Sequence, residues 1–317
     1  MSSDGERATA RESTEALGLP EALGVVRAPR THGRYDYSPI THRPPFAWPG
    51  DKRLAVYVAL NLEHYAFGEG LTEQLVAGSP QPDVLNYSWR DYGNRVGAWR
   101  LLELFDALRL PLSVLVNSAI YDQCPALVAA FRARGDEIAA HGRTNSESQA
   151  GLDEAAEARL IAAVTTSIEQ HEGTRPRGWL GPWIAETEVT PDLLQEAGYS
   201  YVLDWCADDQ PIWLTTRAGR ILSVPYPQEL NDSSAIIGRN VGASEFADMI
   251  VGQFDEMLEQ SAGQPLVLGL ALHSYIVGQP YRLRQLRRAL AHIAGHRDAI
   301  WLTTAGAIAH HYAGACP

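Results

Sequence analysis

The chain reads as an α/β protein whose strands close, or nearly close, into one barrel, and three observations predict this. Strand-like and helix-like stretches alternate, about seven such units within roughly 260 residues. The strand-like runs are apolar throughout, without the polar alternation of a half-exposed sheet, so both faces must be covered. Titratable side chains stand where apolar runs stop: Glu63 and His64 after Val56–Leu62, His141 after Gly135–Ala140, and His273 after Leu266–Leu272. In barrels of βα units reactive groups gather at the carboxyl ends of the strands.

In chain order, residues 1 to about 30 are rich in Ala, Glu, Arg and Ser, which suits a short helix or a mobile segment. Thr31 to Gly50 is aromatic and proline-rich, so it cannot be a regular helix and is expected to lie extended on a surface. Residues 1–50 are therefore an N-terminal extension or arm, and 51–317 the barrel domain. Strands are expected at 54–62, 112–116, 136–141, 199–204, 266–272 and 299–302, with an extended piece at 177–181 and a pair of short strands within 211–224. Helices are expected at 94–108, 125–134, 153–172, 190–197, 244–261, 279–294 and 304–313.

With 317 residues, 45% hydrophobic and 20% charged, the chain has ample material for a large core. Its net charge of -12 argues against nucleic acid and against anionic membrane surfaces as partners. The acidic N-terminus lacks the apolar stretch of a secretory signal, and no run reaches the roughly 20 apolar residues of a membrane span. Three cysteines, Cys124, Cys206 and Cys316, show no metal-finger spacing. These features lead to the expectation of a cytoplasmic protein acting on a small molecule. The aromatic arm, which needs a surface to order it, adds the expectation of a homo-oligomer.

A carboxylate and several imidazoles converging on one cavity can bind a divalent metal or move protons, and residue type alone does not decide which. For His141 the plain alternative is a core histidine satisfied by backbone groups, and for Glu63 a salt bridge to an arginine. His64 is adjacent to Glu63, and neighbouring strand residues point opposite ways, so it shares the cavity only if the strand ends between them. His171, His292, His296, His310 and His311 read as surface residues of polar helical stretches, and His32 and His42 belong to the arm.

Together these segments resemble the polysaccharide deacetylase superfamily, in its allantoinase-like and cyclic-imide-hydrolysing branch. The resemblance runs from about Arg34 to Thr304. It rests on Val56 to Glu63, Gly135 to His141, Arg175-Pro176-Arg177-Gly178-Trp179-Leu180-Gly181-Pro182, Tyr201 to Trp205 with Asp208 to Pro211, Val224 to Asp232, and His273 to Pro280.

The resemblance implies a distorted (β/α)7-type barrel and hydrolysis of a non-peptide C–N bond in an amide, imide or ureide. Where the superfamily carries a base aspartate and a ligand aspartate, this chain has Glu63 and His64. Where metal-dependent relatives carry two histidines four residues apart, it has His141 and Asn145, and an amide is a poor zinc ligand. Zinc held by His64, His141 and Asn145 and a metal-free reaction are both open on this reading. His273 matches the general acid, and Trp179 an aromatic of the pocket wall. Asp204 and Trp205 match residues around the substrate, Arg177 is a candidate for orienting a carboxylate, and Asn231 with Asp232 resemble a substrate-side loop. The expected activity is hydrolysis of a small cyclic amide, imide or ureide, with Glu63 as base and His273 as acid. The rivals are a metal-dependent N-deacetylase of a soluble saccharide and a non-catalytic binding protein on the same fold.

Overall fold

The run Leu54–Leu62 forms strand β1, and every residue of it is buried. In the computed structural model, which describes residues 30–317, β1 lies parallel to three neighbours. Strand β8 (Leu266–His273) flanks its whole length, β2 (Leu112–Val116) its second half and β9 (Trp301–Thr303) its first. The sheet continues from β2 through β3 (Glu137–Ala140), β4 (Gly178–Trp179) and β5 (Tyr201–Val202), all parallel. It ends in a hairpin of β7 (Gly219–Ser223) and β6 (Ile212–Thr216). The expected distorted α/β barrel is thus present, with nine strands among the described residues rather than seven, and the antiparallel hairpin makes the sheet mixed. Beyond β1, β8 is met by a backbone hydrogen bond from Val267 to Asp209, a bridge between Asn231 and Ala271, and the bond from the N–H of His273 to Asp232.

Ten helices follow among the described residues: α1 (Val84–Tyr92), α2 (Ala98–Leu108), α3 (Ile120–Gln123), α4 (Pro125–Arg134), α5 (Glu154–Glu172), α6 (Thr190–Glu196), α7 (Ala243–Gln260), α8 (Ser274–Val277), α9 (Pro280–Gly295) and α10 (Ala305–Ala315). Sequence reasoning missed α1, although Asp83 supplies an N-cap by accepting from the backbone N–H of Asn86. The expected helix 94–108 is a π-helical turn, Gly93–Gly97, leading into α2. Glycines make that junction fit, because a Cβ on Gly97 would stand 2.1 Å from the carbonyl oxygen of Ser274 and one on Gly93 2.6 Å from the backbone nitrogen of Tyr275. The backbone just after β8 is thereby pressed against the α1–α2 junction.

The period of two along β1 sorts its side chains. Val56, Val58 and Leu60 pack outward in the core beneath the helices, while Ala55, Tyr57 and Ala59 face a second core inside the barrel. Small inward residues leave room for large ones, and Trp48 of the arm fills that space, 1% exposed, its Nε1–H donating to the carbonyl of Leu266 at 3.0 Å.

The arm from Arg34 to Gly50 lies on the chain's own barrel, as the extended reading expects, although two short 3-10 turns interrupt it. Arg34 pairs with Asp192, Arg43 with Asp208, and Phe46 stacks edge-on against Trp48 and Tyr312. The arm thus finds its ordering surface on its own chain. The expected surface position of His311 is corrected here: its ring lies between Trp48 and Trp301 and Nε2 meets the carbonyl of Ala47. The expectation for the N-terminal segment up to residue 29 lies outside the described residues.

Candidate active site

Strand register brings the chemistry together. Asn61 pairs with His273, Leu62 with Val116, and Val116 with Ala140, so Glu63 of β1, His273 of its neighbour β8 and His141 of β3, one strand further across β2, leave the sheet at one end. All three are buried and line one cavity of about 150 Å³. The inward face of β1 continues through Asn61, Glu63 and Tyr65, and all three line that cavity.

Glu63 is the centre of the cluster. Its Oε2 accepts from the hydroxyls of Tyr65 (2.8 Å) and Tyr275 (2.9 Å). On the other side, Oε1 faces Nε2 of His141 at 3.3 Å and Nε2 of His273 at 3.4 Å. One oxygen is clamped and the other loosely held, so Oε1 is the face that a water or substrate can engage. Burial pushes the Glu63 carboxyl up, but the charge of His273 and hydrogen bonds from both imidazoles outweigh it and hold the group well below the usual carboxylate range.

The two histidines differ in what stands behind them. His141 directs Nδ1 at the carbonyl of Leu180, 2.8 Å away, and a carbonyl only accepts, so Nδ1 carries a proton and Nε2 is the end that exchanges. His273 directs Nδ1 at Oδ1 of Asp232, 2.6 Å away, while Oδ2 of Asp232 accepts from the backbone N–H of His273 at 2.9 Å. Burial alone would lower the His273 imidazole, but Glu63 and Asp232 override it and hold His273 well above its ordinary value, protonated at neutral pH.

The donor set does not fit zinc. The half-buried His64 does not line this cavity; it lines a separate pocket with Tyr87, Arg90 and Asp91, as strand alternation requires. Asn117 is oriented by the backbone, accepting from the N–H of His64 and donating to the carbonyl of His141, and its Nδ2 also donates to Oδ1 of Asn145 at 3.0 Å. Asn145 lines the cavity and offers an amide oxygen, a poor zinc ligand, which already accepts from Asn117. Among the described residues no group of three His, Cys, Asp or Glu side chains is disposed to hold an ion.

The other expected pocket residues divide. Asn231 lines the cavity, whereas Asp232 stands behind His273. Trp179 is buried beside Tyr199 and donates to Gln149, outside the cavity. Arg177 is exposed at the start of β4. Asp204 accepts from the N–H of Gly181, and Trp205 donates to Glu186, so both belong to a neighbouring buried cluster. Sequence reasoning missed Asn61, Tyr65, Glu73, Tyr226 and Tyr275, all of which line the cavity. The i−2 and i+2 positions around Glu63 were the signal for Asn61 and Tyr65.

A nearly closed α/β barrel with an acid/base cluster at its carboxyl-terminal mouth is the class that fold and site define. No family model matches the chain. A Schizosaccharomyces pombe protein described as "Putative polysaccharide deacetylase" is 25% identical over 300 residues, covering 85% of this chain and 93% of that protein. A Pseudomonas aeruginosa crystal structure, described as a "probable Polysaccharide deacetylase", is 29% identical with a TM-score of 0.75, covering 92% of this chain and 99% of that one. The crystal structure of Puue allantoinase is 27% identical with a TM-score of 0.76 over the same shares. The chain belongs to the polysaccharide deacetylase superfamily, a family of hydrolases of C–N bonds.

Proposed function

We propose that the protein hydrolyses a C–N bond of a small cyclic amide, imide or ureide by acid/base catalysis. The observation that carries this reading is the small cavity in which a clamped carboxylate faces two imidazoles, one backed by a backbone carbonyl and the other by a carboxylate. A water held at Glu63 Oε1 and His141 Nε2 adds its oxygen to the substrate carbonyl carbon and gives its proton to that pair. As the C–N bond breaks, the electron pair goes to nitrogen and His273 supplies the proton, with Asp232 behind it. Tyr65 and Tyr275 keep Glu63 in place. No step is routed through a metal.

The similarity to Puue allantoinase supports a ring substrate, and a volume of about 150 Å³ suits one better than a polymer. The matches to proteins described as polysaccharide deacetylases are equally close and support a second reading, release of acetate from an N-acetylated saccharide. A panel of cyclic imides, ureides and N-acetylated sugars separates them. Ring opening without acetate release is the expected result, and acetate release alone would replace the first reading with the second. Turnover of neither, with ligand binding retained, would favour a binding protein.

A further inference from the structure

Residues 66–83, between β1 and α1, have no regular structure, and Glu73 of this stretch lines the cavity of the site. Three attachments fix their course. Ser146 accepts from the N–H of Leu71 through its carbonyl at 3.0 Å and from the N–H of Ala66 through its hydroxyl at 2.8 Å. Gly70, at φ +68, permits that approach, since a Cβ there would stand 2.1 Å from the Ser146 carbonyl oxygen. Asn86 brackets Val76, accepting from its N–H and donating to its carbonyl. Between these points Arg90, lying over the ring of Tyr65, donates to the backbone carbonyl of Glu73.

The held segment sets the side chain of Glu73 into the wall of the cavity that contains Glu63 and His273. Ser233 donates to its Oε2 at 3.2 Å, and among the described residues Oε1 has no hydrogen-bond partner. The acid/base steps described above do not use this second carboxyl. We propose that Glu73 is a specificity-determining residue that reads the non-reacting edge of the substrate, pairing with a carbonyl and an adjacent N–H on one side of a small ring. This deepens the proposed function and rests on that reading of the site.

A neutral carboxyl group suits the task because it donates through one oxygen and accepts through the other, matching an edge in which C=O and N–H lie side by side. An ionised carboxylate can only accept. Burial, with the charges of Glu63 and Asp232, pushes the Glu73 carboxyl up, and His273 and the Ser233 hydroxyl oppose this. Arg90 faces Glu73 from α1, and Tyr65 and Tyr275 complete the titratable groups around it. A cyclic ureide presents such an edge, the urea carbonyl beside the ring N–H that is not part of the scissile bond, whereas the pendant N-acetyl group of a sugar, being a trans amide, does not.

The test is steady-state kinetics on a cyclic ureide such as hydantoin across pH, with Glu73→Ala and Glu73→Gln beside the unaltered protein. A glutamine side chain also offers one donor and one acceptor. The expected result is a KM raised about 10-fold or more in Glu73→Ala, as for loss of a paired hydrogen bond, with most of it recovered in Glu73→Gln. The unaltered protein's KM should rise with pH as the carboxyl ionises, and this rise should be absent in Glu73→Gln. A KM unmoved in Glu73→Ala, equal failure of both variants, or a pH rise that persists in Glu73→Gln would each overturn the proposal. Calorimetric binding of hydantoin to Glu63→Gln, with and without Glu73→Ala, reads the same contact without turnover. A wild type that releases acetate but neither opens rings nor binds hydantoin would defeat the proposed function, and this inference with it. Ring turnover with silent Glu73 variants would defeat the inference alone.

Discussion

Replacing Asp232 by Asn removes the charge behind His273 and changes little else in shape. The two side chains meet at 2.6 Å and both are buried. Taking their charge centres at roughly 4 Å and an effective dielectric constant of about 20, the lost attraction is about 4 kcal/mol. That corresponds to about 3 pK units off the His273 imidazole. A general acid works only while protonated, so activity falls as pH rises through its pKa. In Asp232→Asn the descending limb of the kcat/KM profile should therefore move down by about 2 to 3 pH units. The backbone N–H of His273 also loses the second carboxylate oxygen, so stability should fall by about 1–3 kcal/mol, and urea unfolding shows whether the fold persists. A descending limb that stays in place in a folded Asp232→Asn protein would refute the assignment of His273 as the acid.

Tyr275→Phe deletes one of the two hydroxyl donors on the buried Glu63 Oε2, a charge-assisted bond contributing about 1.5–3 kcal/mol, so stability at neutral pH should fall by about that amount, as read from urea midpoints; an unmoved midpoint would remove Tyr275 from the clamp. Glu186→Gln addresses stability. Burial pushes the Glu186 carboxyl up to about 7 from 4.5, and two carboxyl oxygens in its cluster, Oε1 of Glu186 and Oδ2 of Asp204, are buried without a partner. The native state then binds more protons than the unfolded state across this window, so this group's contribution is full below about pH 4.5 and is lost as pH rises to about 7. The stability of Glu186→Gln relative to the unaltered protein should rise across that window by up to about 3 kcal/mol and level off above it, as read from urea midpoints. A difference independent of pH would show that Glu186 is already ionised in the fold.

Much of the fold was legible because the barrel's strands are buried on both faces, which leaves apolar runs such as Leu54–Leu62 and Leu266–His273 that have few other places to go. The chemistry at their ends was legible for the same reason: Glu63, His141 and His273 are costly residues to leave beside a core unless they are paired or used. Strand alternation, applied further, also marks Asn61 and Tyr65 as companions of Glu63 and turns His64 away. What stayed hidden depends on contacts between segments far apart in the chain. Asp232 lies 41 residues before the His273 it supports, so its pairing is visible only in three dimensions. Glu73 sits in an irregular segment with no period to read, and its place follows from Ser146, Asn86 and Arg90, none of which is marked as an anchor by its own neighbourhood. The assignment of Trp179, Asp204 and Trp205 to the pocket wall came from resemblance, and here those side chains serve the layer beside the cavity instead.

The most direct test of the acid/base account is turnover of a cyclic imide or ureide by protein extensively treated with chelator, measured beside Glu63→Gln and His273→Gln. The account predicts that the chelated protein keeps its kcat/KM, while each variant loses about 10²- to 10⁴-fold and stays folded. Activity that vanishes on chelation and returns with added zinc, or a Glu63→Gln protein that turns over at the full rate, would contradict it.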